Sequence, residues 1–443
     1  MNDEDSPRKK TPLPQSSSCS EDPFSTHEAL WNPVLLPICA LSKKRSVYLH
    51  KICRIFRPDS RASFNRFLNS KNRRPSNSLG HRSWKLRSFL REHPSFVRPE
   101  SRCNELVSLL DQPLPEALYI TRPASRVRWG IPVPFSREHV TYVWFDALVN
   151  YVSAVGYLED PARFQQLWPA DVHLIGKDIL RHHALYWPIF LHALGFANDQ
   201  MPRQIFAHGW WKVGEQKMSK SLGNIVDPSV VIREVLAGQP YAADIYRYFL
   251  LREVPFGQDG AFSEEALMIR LHADLANDLG NLLHRSLSML ERYCQGKVPD
   301  ASGASQTAQD EAIRQAASQL AGRIDGALAG LDFADALEAI FQLVRQANRY
   351  IETQAPWQLA KAADHARLHA TMAVLAETIR VIAIALEPFM PSVARAIWAQ
   401  LGLSPSPMRL EDAARWSALP KGHTMGTRAV LFPLPRKQPG ASA

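Results

Sequence analysis

Cysteine is scarce: five in 443 residues, at Cys19, Cys39, Cys53, Cys103 and Cys294, and no two form a C-x-x-C pair. A chain of this length does not rest on a disulfide scaffold, and the spacing encodes no structural zinc knuckle. Reduced thiols in a cytoplasmic protein are the expectation. Long apolar runs are missing too. No stretch reaches the roughly 18 uncharged apolar residues of a membrane-spanning helix. Ile382–Leu386 is apolar but short, and Arg380 and Glu387 bracket it. What is present is a 46% hydrophobic composition, enough for about two or three globular domains.

Acidic residues are thin at one end only. Residues 1–98 hold 19 Lys/Arg against 8 Asp/Glu, and the remainder holds 33 against 35. The basicity therefore belongs to the N-terminal segment and is no nucleic-acid footprint of the body. That segment opens on Asp3, Glu4 and Asp5. It then fills with Ser, Pro, Arg and Lys, as in Ser16-Ser17-Ser18, Lys43-Lys44-Arg45 and Lys71-Asn72-Arg73-Arg74. Its periodicity is poor, so residues 1–97 are expected to be disordered or weakly structured. A transit peptide is one reading, against which the early acids argue. A basic RNA-binding arm is another. A third, favoured for a reason given below, is sequence not native to the body that follows.

The body centres on Lys217-Met218-Ser219-Lys220-Ser221, which runs into Leu222-Gly223-Asn224. Two lysines three apart on a mobile loop can both reach a polyphosphate. Ser219 and Ser221 add hydroxyl donors, and Gly223 lets the backbone bend. Read alone, such a run is also a solvated basic turn. Upstream, Val172–Ile175 reads as a short parallel strand, Gly176 as a turn, and a helix begins near Asp178. This strand–glycine–helix order places ligands at the carboxyl end of a sheet. Ile179 and His183, four apart, share a helix face. Thr141–Phe145 is β-branched and aromatic, hence a buried strand, with Asp146 as N-cap of a following helix. Ile205–His208 is a further strand that delivers the lysine loop. Beyond Ser263 the chain is Ala/Leu-rich, with Leu337, Ile340, Phe341, Val344 and Ile351 on one face, so a helix bundle is expected. Asn281 and Arg285 lie one turn apart there, and Trp357 opens a helix near the surface.

Taken in order, these strings resemble the methionyl-tRNA synthetase family of class I aminoacyl-tRNA synthetases. The lysine string resembles the second class I signature. Phe206-Ala207-His208-Gly209-Trp210-Trp211, Ile225-Val226-Asp227-Pro228 and Gly176-Lys177-Asp178-Ile179 point to methionine among the amino acids. The resemblance begins near Pro99. It takes Tyr119–Arg122 and Trp129–Pro134 as the end of the connective insertion and the return to the catalytic sheet. The family's first signature, His-x-Gly-His, has no counterpart. Ser78-Leu79-Gly80-His81 has only its end and reads as a turn. The first half of the sheet is therefore expected to be absent, which is why residues 1–97 read as non-homologous.

The resemblance implies α/β plus all-α architecture: the second half of a Rossmann-like catalytic domain over 98–262, then an anticodon-binding helix bundle over 263–443. It implies ATP-dependent activation of methionine, with Mg²⁺, and transfer to tRNA(Met). Lys217, Lys220, Ser219, Ser221 and Arg122 would serve catalysis. Gly176, Asp178 and Lys220 would hold ATP, and Trp144, Tyr151, Ile179 and His183 would hold methionine. Asn281, Arg285 and Trp357 would read the anticodon, where a bidentate arginine, an amide and a stacking indole suit unstacked bases. A non-catalytic tRNA-binding remnant is the alternative expectation.

Overall fold

The computed structural model describes residues 79–112, 120–133, 136–404 and 408–434; the readings of residues 1–78 lie outside the described residues. Among the described residues, those from 120 to 168 fall in one compact unit. Trp84–Gln112 and the residues from Pro169 onward fall in another. The boundaries expected after residues 97 and 262 both lie inside this second unit.

The segment expected to lack order contains helix α1 (Leu79–Glu92), followed by β1 (Val97–Arg98) and α2 (Glu100–Leu110). Gly80-His81, read as a turn, lies within α1. Leu86, Leu90, Leu106 and Leu110 are buried, so both helices pack an apolar stripe.

In the other unit, β2 (Thr121–Pro123), β3 (Pro132–Val133) and β4 (Ser136–Thr141) form an antiparallel sheet in the order β2-β4-β3. These strands make their own sheet; they do not join the parallel one. Helix α3 (Val143–Ser153) follows directly, and α4 (Pro161–Leu167) comes after it. The run Thr141–Phe145, expected as a strand, belongs to a strand only at Thr141. Tyr142 is the N-cap of α3, and Asp146, expected to cap, sits in the first turn. Phe145, Leu148, Val149 and Val152 are the buried residues of α3. That spacing is a helical stripe, and it prevails over the β propensity of Thr141, Val143 and Trp144.

The second unit holds a parallel sheet of β1, β6 (Gln204–His208) and β5 (Val172–Gly176), in the order β1-β6-β5. Helix α5 (Trp187–Ala193) lies between β5 and β6 in the chain. Beneath β5, Trp187 Nε1 donates to His173 Nε2 at 3.2 Å, so His173 is buried as a neutral acceptor. Burial, then the neighbouring His183, pushes its pKa down to about 4. His173 and Ile175 are buried, whereas Val172 and Leu174 on the other face are exposed. The helix expected near Asp178 begins instead as a 3₁₀ turn over Lys177–Ile179 and widens into a π turn over His182–Tyr186.

A second, smaller sheet joins hairpin β7 (Trp211–Val213)–β8 (Gln216–Lys217) to β9 (Gly260–Phe262), with α6 (Pro228–Val230) and α7 (Ala242–Arg252) between. Asp227 caps α6 by accepting from Ser229 N at 2.8 Å. Ser263 caps α8 (Glu264–Arg270) by accepting from Ala266 N at 3.1 Å, with two acids in the first turn.

The bundle then comprises α9 (Asn281–Cys294), α10 (Ala308–Ala329), α11 (Phe333–Gln354), α12 (Pro356–Lys361), α13 (His365–Leu386) and α14 (Pro391–Gln400). Leu337, Ile340, Phe341, Val344 and Ile351 of α11 are fully buried, as their period predicts. Each such side chain contributes roughly 1.5–3 kcal/mol. Helix α13 is long and apolar enough to cross a membrane by composition, but 83% of its apolar window is buried among its neighbours, as in a core helix. Two ion pairs are buried here. Arg380 Nη2 meets Glu377 Oε1 at 2.8 Å, and Arg367 holds Asp310 at 2.5 and 2.7 Å. Asp244 of α7 accepts from Ser392 N and Val393 N at 2.6 and 2.8 Å, which ties α7 to the N-terminus of α14.

Candidate functional site

The site is built on the carboxyl ends of β5 and β6, where Gly176 pairs with His208. One strand runs on into Lys177-Asp178 and the other into Gly209-Trp210, so these four residues meet at the end of the sheet where open α/β folds bind ligands. Gly209 is required by close approach: a Cβ there would sit 2.1 Å from the carbonyl oxygen of Gln258. That approach brings Asp259 against the site. Its carboxylate accepts from Trp210 N at 2.9 Å and pairs with Lys177 Nζ at 2.7 Å and Lys212 Nζ at 3.2 Å. The hydrogen bond from Lys177, reinforced by the Trp210 amide, holds the Asp259 carboxyl far below the usual carboxylate range.

Asp178 faces Trp210 and the lysine loop. Its Oδ1 accepts from Trp210 Nε1 at 3.2 Å, and its Oδ2 lies 3.9 Å from Lys217 Nζ. Partial burial pushes its pKa up, but the indole N–H, the backbone, Lys217 and His208 outweigh it and leave the carboxyl lowered. Gly176 leaves room for this carboxylate, since a Cβ there would meet Asp178 Oδ1 at 2.8 Å.

The lysine loop has more order than its composition suggests. Lys217 ends the hairpin, paired with Lys212, and Lys220–Leu222 form a 3₁₀ turn that Gly223 closes with φ of 65°. Asn224 clasps the loop: its Oδ1 accepts from Ser219 N at 2.8 Å and its Nδ2 donates to the Lys217 carbonyl at 3.3 Å. The Ser219 and Ser221 hydroxyls share a hydrogen bond of 2.8 Å. Lys217 lies over the Trp210 ring, 3.8 Å from its centroid, whereas Lys220 is exposed.

His183 and Ile179 are brought together, with His183 Nδ1 3.0 Å from the Ile179 carbonyl oxygen. Burial lowers the His183 pKa, against the pull of that backbone contact. In the other unit, Trp144 and Tyr151 lie seven apart on α3, on one helix face, both half-buried. Burial raises the Tyr151 pKa. Arg122 stacks on Tyr142, 3.8 Å from the ring centroid. Arg122, Trp129, Tyr142, Val143 and Asp146 are among the residues lining a cavity of about 440 Å³. Trp144 and Tyr151 do not line it. In the bundle, Arg285 is ion-paired with Glu352 at 2.7 Å, and its guanidinium lies 5.9 Å from the ring centroid of Trp357, which is 39% exposed. Asn281 is exposed one turn earlier on α9. Among the described residues, no group of three or more His, Cys, Asp or Glu is placed to hold a metal ion.

Residues 49–287 match the family described as tRNA synthetases class I (M), and residues 310–421 match the anticodon-binding domain of tRNA ligases. The chain belongs to the methionyl-tRNA synthetase family. The match starts inside the basic segment, well before Pro99, where the resemblance was read to begin. The chain is 44% identical over 356 residues to the methionine–tRNA ligase of Caldanaerobacter subterraneus subsp. tengcongensis, covering 79% of this chain and 53% of that one. To the Bacillus subtilis enzyme it is 41% identical over 337 residues, covering 76% and 49%. It thus spans about half the length of these curated relatives. The solved structure of Mycobacterium tuberculosis methionyl-tRNA synthetase in complex with methionyl-adenylate superposes with a TM-score of 0.73. That pair is 40% identical and covers 80% of this chain and 68% of the other. The architecture is accordingly a class I catalytic domain with a helical anticodon-binding domain.

Residues at the site that were not singled out from sequence include Lys177, Trp210, Asn224 and Asp259. All four stand inside or beside strings that resemble the family, Asp259 in Phe256–Ser263. Asp259 stands 82 residues from its partner Lys177, and no local pattern pairs the two.

Proposed function

We propose that this chain carries the lysine-loop side of a methionine-activating site together with the anticodon-reading helices of a methionine–tRNA ligase. The observation that carries the reading is the meeting of Gly176, Asp178 and Lys217 at the carboxyl ends of two parallel strands, in a chain of this family. In the first reaction the carboxylate of methionine attacks the α-phosphorus of ATP and pyrophosphate leaves, giving methionyl-adenylate. A hydroxyl of the terminal ribose of tRNA(Met) then takes the methionyl group and AMP leaves. Lys217 and Lys220, with Ser219 and Ser221, are the donors for the phosphates, where charge grows in the transition state and Mg²⁺ shares it. Asp178 accepts from the ribose and Gly176 leaves room for the nucleoside. Ile179 and His183 contact the methionine side chain; within the other unit, Trp144 and Tyr151 keep the aromatic role that the resemblance gives them, and sulfur packs well against ring edges. Arg122, in the other unit, keeps the catalytic role that the resemblance gives it. Asn281, Arg285 and Trp357 read the anticodon; Arg285 then exchanges its Glu352 partner for a base edge.

The sequence contains no His-x-Gly-His string, so the chain on its own is expected to activate methionine poorly. Methionine-dependent ATP–pyrophosphate exchange on the purified chain tests this, with Lys220→Ala beside it. Exchange far below that of a full-length relative, and abolished by Lys220→Ala, is the expected result. A rate comparable to that relative would overturn the expectation of weak activity. The proximity of Arg285 to Trp357 favours a second reading, anticodon-dependent tRNA binding without catalysis. That reading predicts binding that survives Lys220→Ala and is lost in Trp357→Ala.

A further inference from the structure

We propose that Trp210 is a positioning residue for the lysine loop, a platform that keeps Lys217 beside Asp178 when no nucleotide is bound. The inference rests on the reading of that loop as a phosphate-binding one, and it adds a residue to which no role has been given above.

The geometry around Trp210 is specific. Its ring centroid lies 3.8 Å from Lys217 Nζ and 4.2 Å from Lys177 Nζ. Its indole N–H donates to Asp178 Oδ1 at 3.2 Å, and its backbone N–H donates to Asp259 Oδ1 at 2.9 Å. One side chain thus touches both lysines and the carboxylate, and its backbone is fixed through Asp259. Lys177 is held independently by Asp259 at 2.7 Å and is only 18% exposed. Lys217 is 51% exposed, and among the described residues its ammonium has the ring and the 3.9 Å pair with Asp178 to hold it. A half-exposed pair at that distance is worth little by itself. The aromatic face is therefore what decides where the Lys217 ammonium rests. A nucleotide ribose at Asp178 competes with the indole N–H and with Lys217 for the same oxygens. Ligand binding then frees Lys217 from Trp210 at the moment phosphates arrive to receive it. The platform makes loop release and nucleotide binding one exchange of partners.

Acetylation of lysines in the full chain, read residue by residue by mass spectrometry, tests the platform without needing catalysis. Lys217 is compared with Lys220 of the same loop as an internal reference. Without nucleotide, Trp210→Ala is expected to raise the Lys217 rate about two- to fivefold, the range a cation–π contact supports, with Lys220 unchanged. Trp210→Phe keeps an aromatic face and is expected to restore most of the protection. A local loss of folding would instead raise Lys217 and Lys220 together. The proposal is overturned if Trp210→Ala leaves the Lys217-to-Lys220 ratio unaltered, or if Trp210→Phe behaves like Trp210→Ala. Failure of the underlying nucleotide reading shows differently. The Trp210 effect then persists, while added MgATP changes neither lysine in the wild-type chain.

Discussion

In the bundle the Arg380–Glu377 pair is closed off by further hydrogen bonds. The Arg380 guanidinium donates to Glu377 and to the carbonyls of Asp412 and Arg415, and Glu377 also accepts from the amides of Ala418 and Leu419 at 3.0 and 3.2 Å. Both side chains are about 5% exposed or less. At the lysine loop another cation and carboxylate, Lys217 and Asp178, stand half in solvent, 51% and 48% exposed, at 3.9 Å. The first arrangement is fixed by burial, because separating the pair would leave a charge in an apolar interior. The second is loosely held, and its groups can change partners. The lesson is that charge identity does not distinguish a structural acid from a ligand-binding one; solvent access does.

The largest expected effect comes from breaking the buried side of that comparison. Arg380→Ala should cost about 3–5 kcal/mol in a denaturant melt, since it strands Glu377. The double change Glu377→Leu with Arg380→Met should cost less than the single one. Equal losses would mean that the packing, and not the charge, matters. Next in size is Asp310. Burial pushes its carboxyl up, but hydrogen bonds from Arg367, the Thr307 backbone and Tyr350 outweigh this and hold it at about 2. A lowered carboxyl adds stability that is present above its unfolded value near 3.9 and lost as pH falls toward 2. That contribution is about 2.5 kcal/mol, and Asp310→Asn should flatten the stability profile over this window. An unaltered acid limb would show that other groups govern it. The smallest effect belongs to the exposed side: Lys217→Ala should move stability by no more than about 0.5 kcal/mol. A larger loss would make the lysine loop part of the scaffold and erase the contrast.

Much of this was legible in sequence, and the parts that were share a cause. The stripe of Leu337, Ile340, Phe341, Val344 and Ile351 declared the bundle because a buried helix face repeats with the helix period. Val172–Ile175, read as a parallel strand ending at the Gly176 turn, and Ile205–His208, read as a further strand, both lie in strands. The misreading of Thr141–Phe145 shows where local rules fail. Its β-branched and aromatic residues favour a strand. The contacts that Phe145, Leu148, Val149 and Val152 make, all on one side, turned the segment into a helix.

By itself, then, the sequence determined which segments are helix, strand and lysine loop over most of the body, and which family the chain joins. Periodicity, turn residues and ordered motifs are local properties of the chain. Tertiary structure decided the rest: that Trp210 underlies Lys217, that Asp259 meets Lys177 across 82 residues, and that Arg380 is sealed while Asp178 is open. Those outcomes depend on which surfaces close over one another, and burial sets whether a given charge is locked or left able to bind.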